Sequence, residues 1–75
     1  MQKLAIRLLS GDERKMFRRI VDEGGEVLQK DLVAVGIFSK AKVTRLLDKL
    51  EGKGLVVRER YGATNRVRVS KELGK

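Results

Sequence analysis

Glycine alone punctuates this chain. It has eight glycines and no proline in 75 residues. Gly24-Gly25, Gly36, Gly52 with Gly54, and Gly62 cut it into short pieces. A piece of that length holds one helix or one strand, and the spacing of its apolar residues decides which.

The piece from Ser10 to Glu23 is a helix. Ser10 and Glu13 have capping-box spacing, in which a Ser side chain and a Glu three residues later satisfy each other's backbone N–H. Asp12 and Glu13 suit the positive end of the helix dipole. Met16, Phe17, Ile20 and Val21 make one apolar face, and Gly24-Gly25 ends the helix. Before it, residues 1–9 form an N-terminal extension. Leu4, Ile6 and Leu8 alternate loosely there, as in a short strand or the tail of a helix.

An extended piece follows around Glu26 and Val27. Residues 28–35, LQKDLVAV, read as a second short helix, with Leu28, Leu32 and Val35 pointing inward. Gly36 makes a tight turn, and Ile37 and Phe38 lead to Ser39, the N-cap of a third helix over 39–52. Its apolar face is Val43, Leu46, Leu47 and Leu50. Ala41, Thr44, Arg45 and Asp48 lie opposite, with Lys42 and Lys49 on one flank. Two strand-like runs come last, within a hairpin over 55–70: LVVRER (55–60) and RVRVS (66–70). The turn YGATN (61–65) joins them. Alternation puts Leu55, Val57, Val67 and Val69 on the core side, and Arg58, Arg60, Arg66 and Arg68 together on the other.

Composition narrows the function. Eighteen Lys and Arg stand against ten Asp and Glu, a net charge of +8. Such an excess on a small domain points to nucleic acid or an acidic membrane surface. No apolar run is long enough to span a bilayer, and the first nine residues are too short and too charged for a secretory signal. The expected compartment is the cytoplasm. There is no Cys and no His, which removes disulfides and the usual transition-metal ligands. No glycine-rich phosphate loop, nucleophile elbow or metal-ligand spacing accompanies the carboxylates, so neither an enzyme nor a cofactor is expected.

Residues 26–70 resemble the winged helix-turn-helix of bacterial and archaeal transcriptional regulators, and most closely the multiple-antibiotic-resistance regulator (MarR) family and its archaeal relatives. The resemblance lies in Gln29-Lys30-Asp31-Leu32, in Phe38-Ser39-Lys40, and in Val43-Thr44-Arg45-Leu46-Leu47-Asp48-Lys49-Leu50-Glu51. It continues through Lys53-Gly54-Leu55-Val56 and Gly62-x-Thr64-Asn65-Arg66-Val67. It implies a single α+β domain over 1–75, a small three-helix winged helix-turn-helix with a C-terminal two-stranded β-hairpin wing. Thr64 stands where that family's wing carries an Asp, while Arg66 keeps the Arg position. The extra terminal helices that build dimers and ligand pockets in that family have no counterpart here, so no small-molecule ligand is expected.

In this architecture the third helix enters the major groove of double-stranded DNA and the hairpin meets the backbone or minor groove. Ser39, Lys40, Lys42, Thr44 and Arg45 are the candidate contacts of the third helix. Its free N–H groups and dipole attract phosphate, Thr44 lets the backbone approach base edges, and Arg45 suits a bidentate contact to guanine. The same lysines also fit a merely solvated helix face. Gln29 and Lys30 begin the helix that crosses the backbone, and they too fit an ordinary solvated surface. Arg58, Arg60, Arg66 and Arg68, with Tyr61, Thr64 and Asn65 at the turn, are the hairpin's candidates. Each Arg can instead lie over the sheet with its head in water. Tyr61 can stack, bond a phosphate or pack on the hairpin. The expected function is sequence-specific duplex binding, as a transcriptional regulator or a regulator's DNA-binding module. A homodimer would place half-sites about 34 Å apart. The rival readings are a winged-helix module for an acidic protein partner and a binder of structured RNA.

Overall fold

The computed structural model describes residues 9–70. The expected strand or helix tail at Leu4, Ile6 and Leu8 lies outside the described residues. Helix α1 is Gly11–Asp22, strand β1 is Glu26–Leu28, helix α2 is Gln29–Ala34 and helix α3 is Lys40–Gly52. Strands β2, Val56–Tyr61, and β3, Thr64–Val69, complete a small α+β fold.

Ser10 and Glu13 form the capping box in both directions, each bond 3.2 Å long. Met16, Phe17 and Ile20 are buried, but Val21 is half exposed, because it lies at the edge of the stripe. Beyond α1 the backbone reverses through Gly24 (φ 93°) and Gly25 (φ 88°), with Gly25 N–H bonded to the Ile20 carbonyl at 2.9 Å. That left-handed geometry is open to glycine and costly to most other residues.

The chain then runs straight into β1. Leu28 belongs to this strand and caps α2 by its backbone alone, so α2 starts one residue later than the apolar spacing suggests. Leu32 is buried and Val33 packs on the core. Val35, expected to point inward, is exposed, because α2 has only six residues and ends before it. Ser39 caps α3 by accepting from Lys42 N–H at 3.1 Å. Val43, Leu46, Leu47 and Leu50 are buried against α1 and the sheet.

The sheet has three antiparallel strands in the order β1-β3-β2, one more than the two-stranded hairpin expected. A two-residue turn, Gly62-Ala63, links β2 to β3, so Tyr61 pairs with Thr64 inside the ladder, not in a five-residue tip. The phase of β2 is also one residue from expectation. Val56 is buried opposite Val69, whereas Val57 pairs with Arg68 and is exposed. Arg58 pairs with Val67, and Arg60 with Asn65, while Glu59 pairs with Arg66. Directly paired residues share a face. The four hairpin arginines therefore do not share one: Arg58 and Arg60 project to the side of Val67, and Arg66 and Arg68 to the other. The reason is Leu55. It is buried before the strand begins, held by its N–H to the Leu50 carbonyl at 3.0 Å, and so shifts the alternation by one.

Candidate nucleic-acid interface

Three starts and turns meet at one place. Leu28 pairs with Arg66, which sets Gln29 and Lys30 beside Asn65 and Thr64 of β3. Lys30 N–H donates to Thr64 Oγ1 at 3.2 Å, so the first turn of α2 is fastened to the hairpin. The N-terminus of α3 borders the same place through Lys40. Between them lies a groove of about 570 Å³, lined by Gln29, Lys30, Lys40, Tyr61, Thr64 and Asn65 among others. Among the described residues no acidic one lines it.

Side chains tie its three walls together. Asn65 Nδ2 donates to Gln29 Oε1 at 3.0 Å, and Gln29 Nε2 donates to Thr44 Oγ1 at 3.2 Å. The Thr44 hydroxyl in turn donates to the Lys40 carbonyl at 3.1 Å, a back-bond one turn down its own helix. Gln29 is therefore a bridge between β3 and α3 as well as a surface group. Thr44 has its hydroxyl engaged from both sides. Ser39 has its hydroxyl on the α3 cap.

Ion pairs sort the remaining candidates. Arg58 is drawn onto α3, where its guanidinium bonds Asp48 and, at 2.9 Å, Glu51. Its side chain is only 19% exposed. Burial opposes its charge, but its hydrogen bonds to Glu51 and Asp48 outweigh that and hold its pKa above the ordinary value. Arg66 lies 3.0 Å from Glu59 and 3.9 Å from Glu26, and its guanidinium sits over the Tyr61 ring, 5.5 Å from the centroid. The hydrogen bond to Glu59 raises its pKa. Arg68 shares the same Glu59 at 3.1 Å. Lys42 turns away toward α1, 2.9 Å from Asp12, and the hydrogen bond from Lys42 lowers that carboxyl's pKa.

Lys30, Lys40, Arg45 and Arg60 are left. All four are exposed, and none forms a salt bridge among the described residues. Gly62, Ala63 and Val33 also line the groove and were not among the candidate contacts expected from sequence. Gly62, with φ 61°, carried the one available signal, a glycine where a two-residue hairpin turn needs positive φ. A second cationic strip, Arg14, Lys15 and Arg18, is exposed on α1 away from the groove. Among the described residues no helix is long and apolar enough to cross a membrane.

Comparison with known proteins places the chain in a family. The family described as a domain of unknown function (DUF7343) matches residues 8–70, and the chain belongs to it. An uncharacterized protein of Pyrococcus abyssi is 38% identical over 64 residues, 85% of this chain and 19% of that protein. One of Pyrococcus horikoshii is 39% identical over 61 residues, 81% of this chain and 18% of that protein. One of Methanocaldococcus jannaschii is 27% identical over 61 residues, 81% of this chain and 13% of that protein. The chain thus spans less than a fifth of the length of these curated relatives. No solved structure gives a significant match.

Proposed function

We propose that this member of the DUF7343 family is a winged helix-turn-helix domain that binds double-stranded DNA in a sequence-dependent way. In this reading α2, the Gly36 turn and α3 are the helix-turn-helix, and the β2–β3 hairpin is the wing. The observation that carries it is the groove at the start of α3: unpaired lysines on its walls, no carboxylate among the described residues that line it, and walls fastened to one another. Most carboxylates of the described residues are held elsewhere by their own cations, as Asp48 and Glu51 are by Arg58 and Glu59 by Arg66 and Arg68.

The division of labour follows from exposure and pairing. Lys30, Lys40 and Arg60 meet phosphates, which position the domain without reading sequence. Arg45, with the Thr44 methyl beside it, meets base edges in the major groove. Arg58 stays within the fold. In polypeptides as long as the curated relatives the domain is one module of a larger regulator.

Selection of bound sequences from a random duplex pool tests the reading. It expects an enriched motif, and Arg45→Ala weakening binding to that motif by about 1–3 kcal/mol while relaxing one position. A pool that emerges unenriched contradicts sequence recognition.

A further inference from the structure

We propose that the groove between α2, α3 and the hairpin turn seats an unpaired nucleotide, so that the domain prefers duplex DNA with a single-stranded tail over blunt duplex. The proposal rests on the duplex reading and adds a second ligand feature at the same site.

Contact with the phosphates of a regular duplex needs only a convex basic surface. This site is concave, and its volume of about 570 Å³ falls in the range of small-ligand sites. Its lining combines three chemistries that a nucleotide unit matches. The first is the Tyr61 ring. Tyr61 lines the groove and is 53% exposed although the Arg66 guanidinium lies over its ring. A base face stacks on such a ring, and an arginine behind it adds a cation to the stack. Within a duplex each base face is covered by its neighbours, so only an unpaired base can use Tyr61 in this way.

The second is a pair of amides with capacity left over. Among the described residues Asn65 Oδ1 accepts no hydrogen bond, and the Gln29 Nε2 group, bonded once to Thr44, keeps a second N–H. Because Asn65 and Gln29 are bonded to each other, the acceptor and the donor are held side by side, as an unstacked base edge requires. The third is charge. Lys30 and Lys40 line the groove unpaired, and among the described residues no carboxylate lines it to oppose a phosphate.

The experiment is fluorescence anisotropy at one low salt concentration. The probes are a blunt duplex, the same duplex with a short single-stranded thymidine tail, and thymidine monophosphate as competitor. The proteins are the full chain and its Tyr61→Ala and Tyr61→Phe variants, each checked for folding by circular dichroism. The reading is the ratio of tailed to blunt affinity within each protein. It is expected at about tenfold for the full chain and for Tyr61→Phe, and near one for Tyr61→Ala. Equal affinity for blunt and tailed duplex in the full chain overturns the proposal, as does a ratio that survives Tyr61→Ala. Thymidine monophosphate binding as tightly as the tail would also overturn it, assigning the groove to a free nucleotide. Blunt duplex that fails to bind at all contradicts the duplex reading instead, so the two failures are distinct.

Discussion

The Asn65 side-chain amide donates a 3.0 Å hydrogen bond to Gln29 Oε1, joining β3 to the first residue of α2. Gln29 passes the link to Thr44 of α3. The hairpin and the two helices that border the groove therefore hold a fixed relation through one polar chain. A double-mutant cycle on Asn65→Ala and Gln29→Ala, read by urea denaturation, is expected to show coupling of about 1 kcal/mol. Strictly additive effects would contradict the link.

Arg58 serves the fold. It reaches from β2 to Asp48 and Glu51 of α3 with most of its side chain covered. Arg58→Ala is expected to cost about 1 kcal/mol, a fall of about 4–8 °C in melting temperature for a domain this small. Duplex affinity of the folded variant should stay near that of the parent, whereas Arg60→Ala should weaken binding without lowering the melting temperature. The reverse pattern in calorimetry and binding would move Arg58 to the interface.

Glu13 is 4% exposed and carries two duties, the α1 cap and an ion pair with Lys53 at 2.6 Å. Chiefly the hydrogen bond from Lys53, against desolvation, lowers its pKa from the ordinary 4.5. A carboxyl with a lowered folded-state pKa contributes stability that is complete above its unfolded value and lost as pH falls through the folded one. The full chain should therefore lose stability below about pH 4.5 more steeply than Glu13→Gln. Glu13→Gln should also be less stable at pH 7 by about 1 kcal/mol, since it can keep the cap geometry but not the charge. Parallel stability curves from pH 3 to pH 7 would contradict this assignment.

Two glycines should respond in opposite directions. Gly36 has φ 80° in the turn between α2 and α3, and Gly36→Ala is expected to cost about 1–2 kcal/mol. Gly52 ends α3 without positive φ, and an added Cβ meets nothing within 4 Å. Gly52→Ala should stabilise by about 0.5 kcal/mol. Thermal melts of the pair check both signs, and a loss at Gly52 would contradict the helical assignment there.

The helices were legible because their signals are local. Ser10 with Glu13, Ser39 before Val43, and the glycines beyond each helix are read within one or two turns of chain. The strands were less so. Leu55-Val56-Val57 are three consecutive apolar residues, and alternation alone fits them in two phases that differ only in which residue starts. The choice falls to the Leu55 N–H bond to the Leu50 carbonyl at the end of α3 and to the register of β2 on β3, which apolar spacing does not encode. The same limit hid the fate of the arginines. Arg58 meets Asp48 and Glu51 across a chain reversal, and Arg66 meets Glu59 across the hairpin, so their pairing depends on a register that spacing does not determine. Lys40, Arg45 and Lys30 were readable as a group because their helix positions were. The bond between Gln29 and Asn65 was not, since 36 positions separate them.

The central claim is that Lys30, Lys40 and Arg60 present their charge to the phosphates of a duplex while Arg45 meets its base edges. The most direct test is the slope of log affinity for blunt duplex DNA against log salt, for the full chain and for Lys40→Gln. With each neutralised phosphate contributing about 0.9, the full chain should give a slope of about −3 or steeper, and Lys40→Gln should flatten it by about 1. A flat dependence, or a steep one that Lys40→Gln leaves unchanged, would contradict the assignment of this face to DNA.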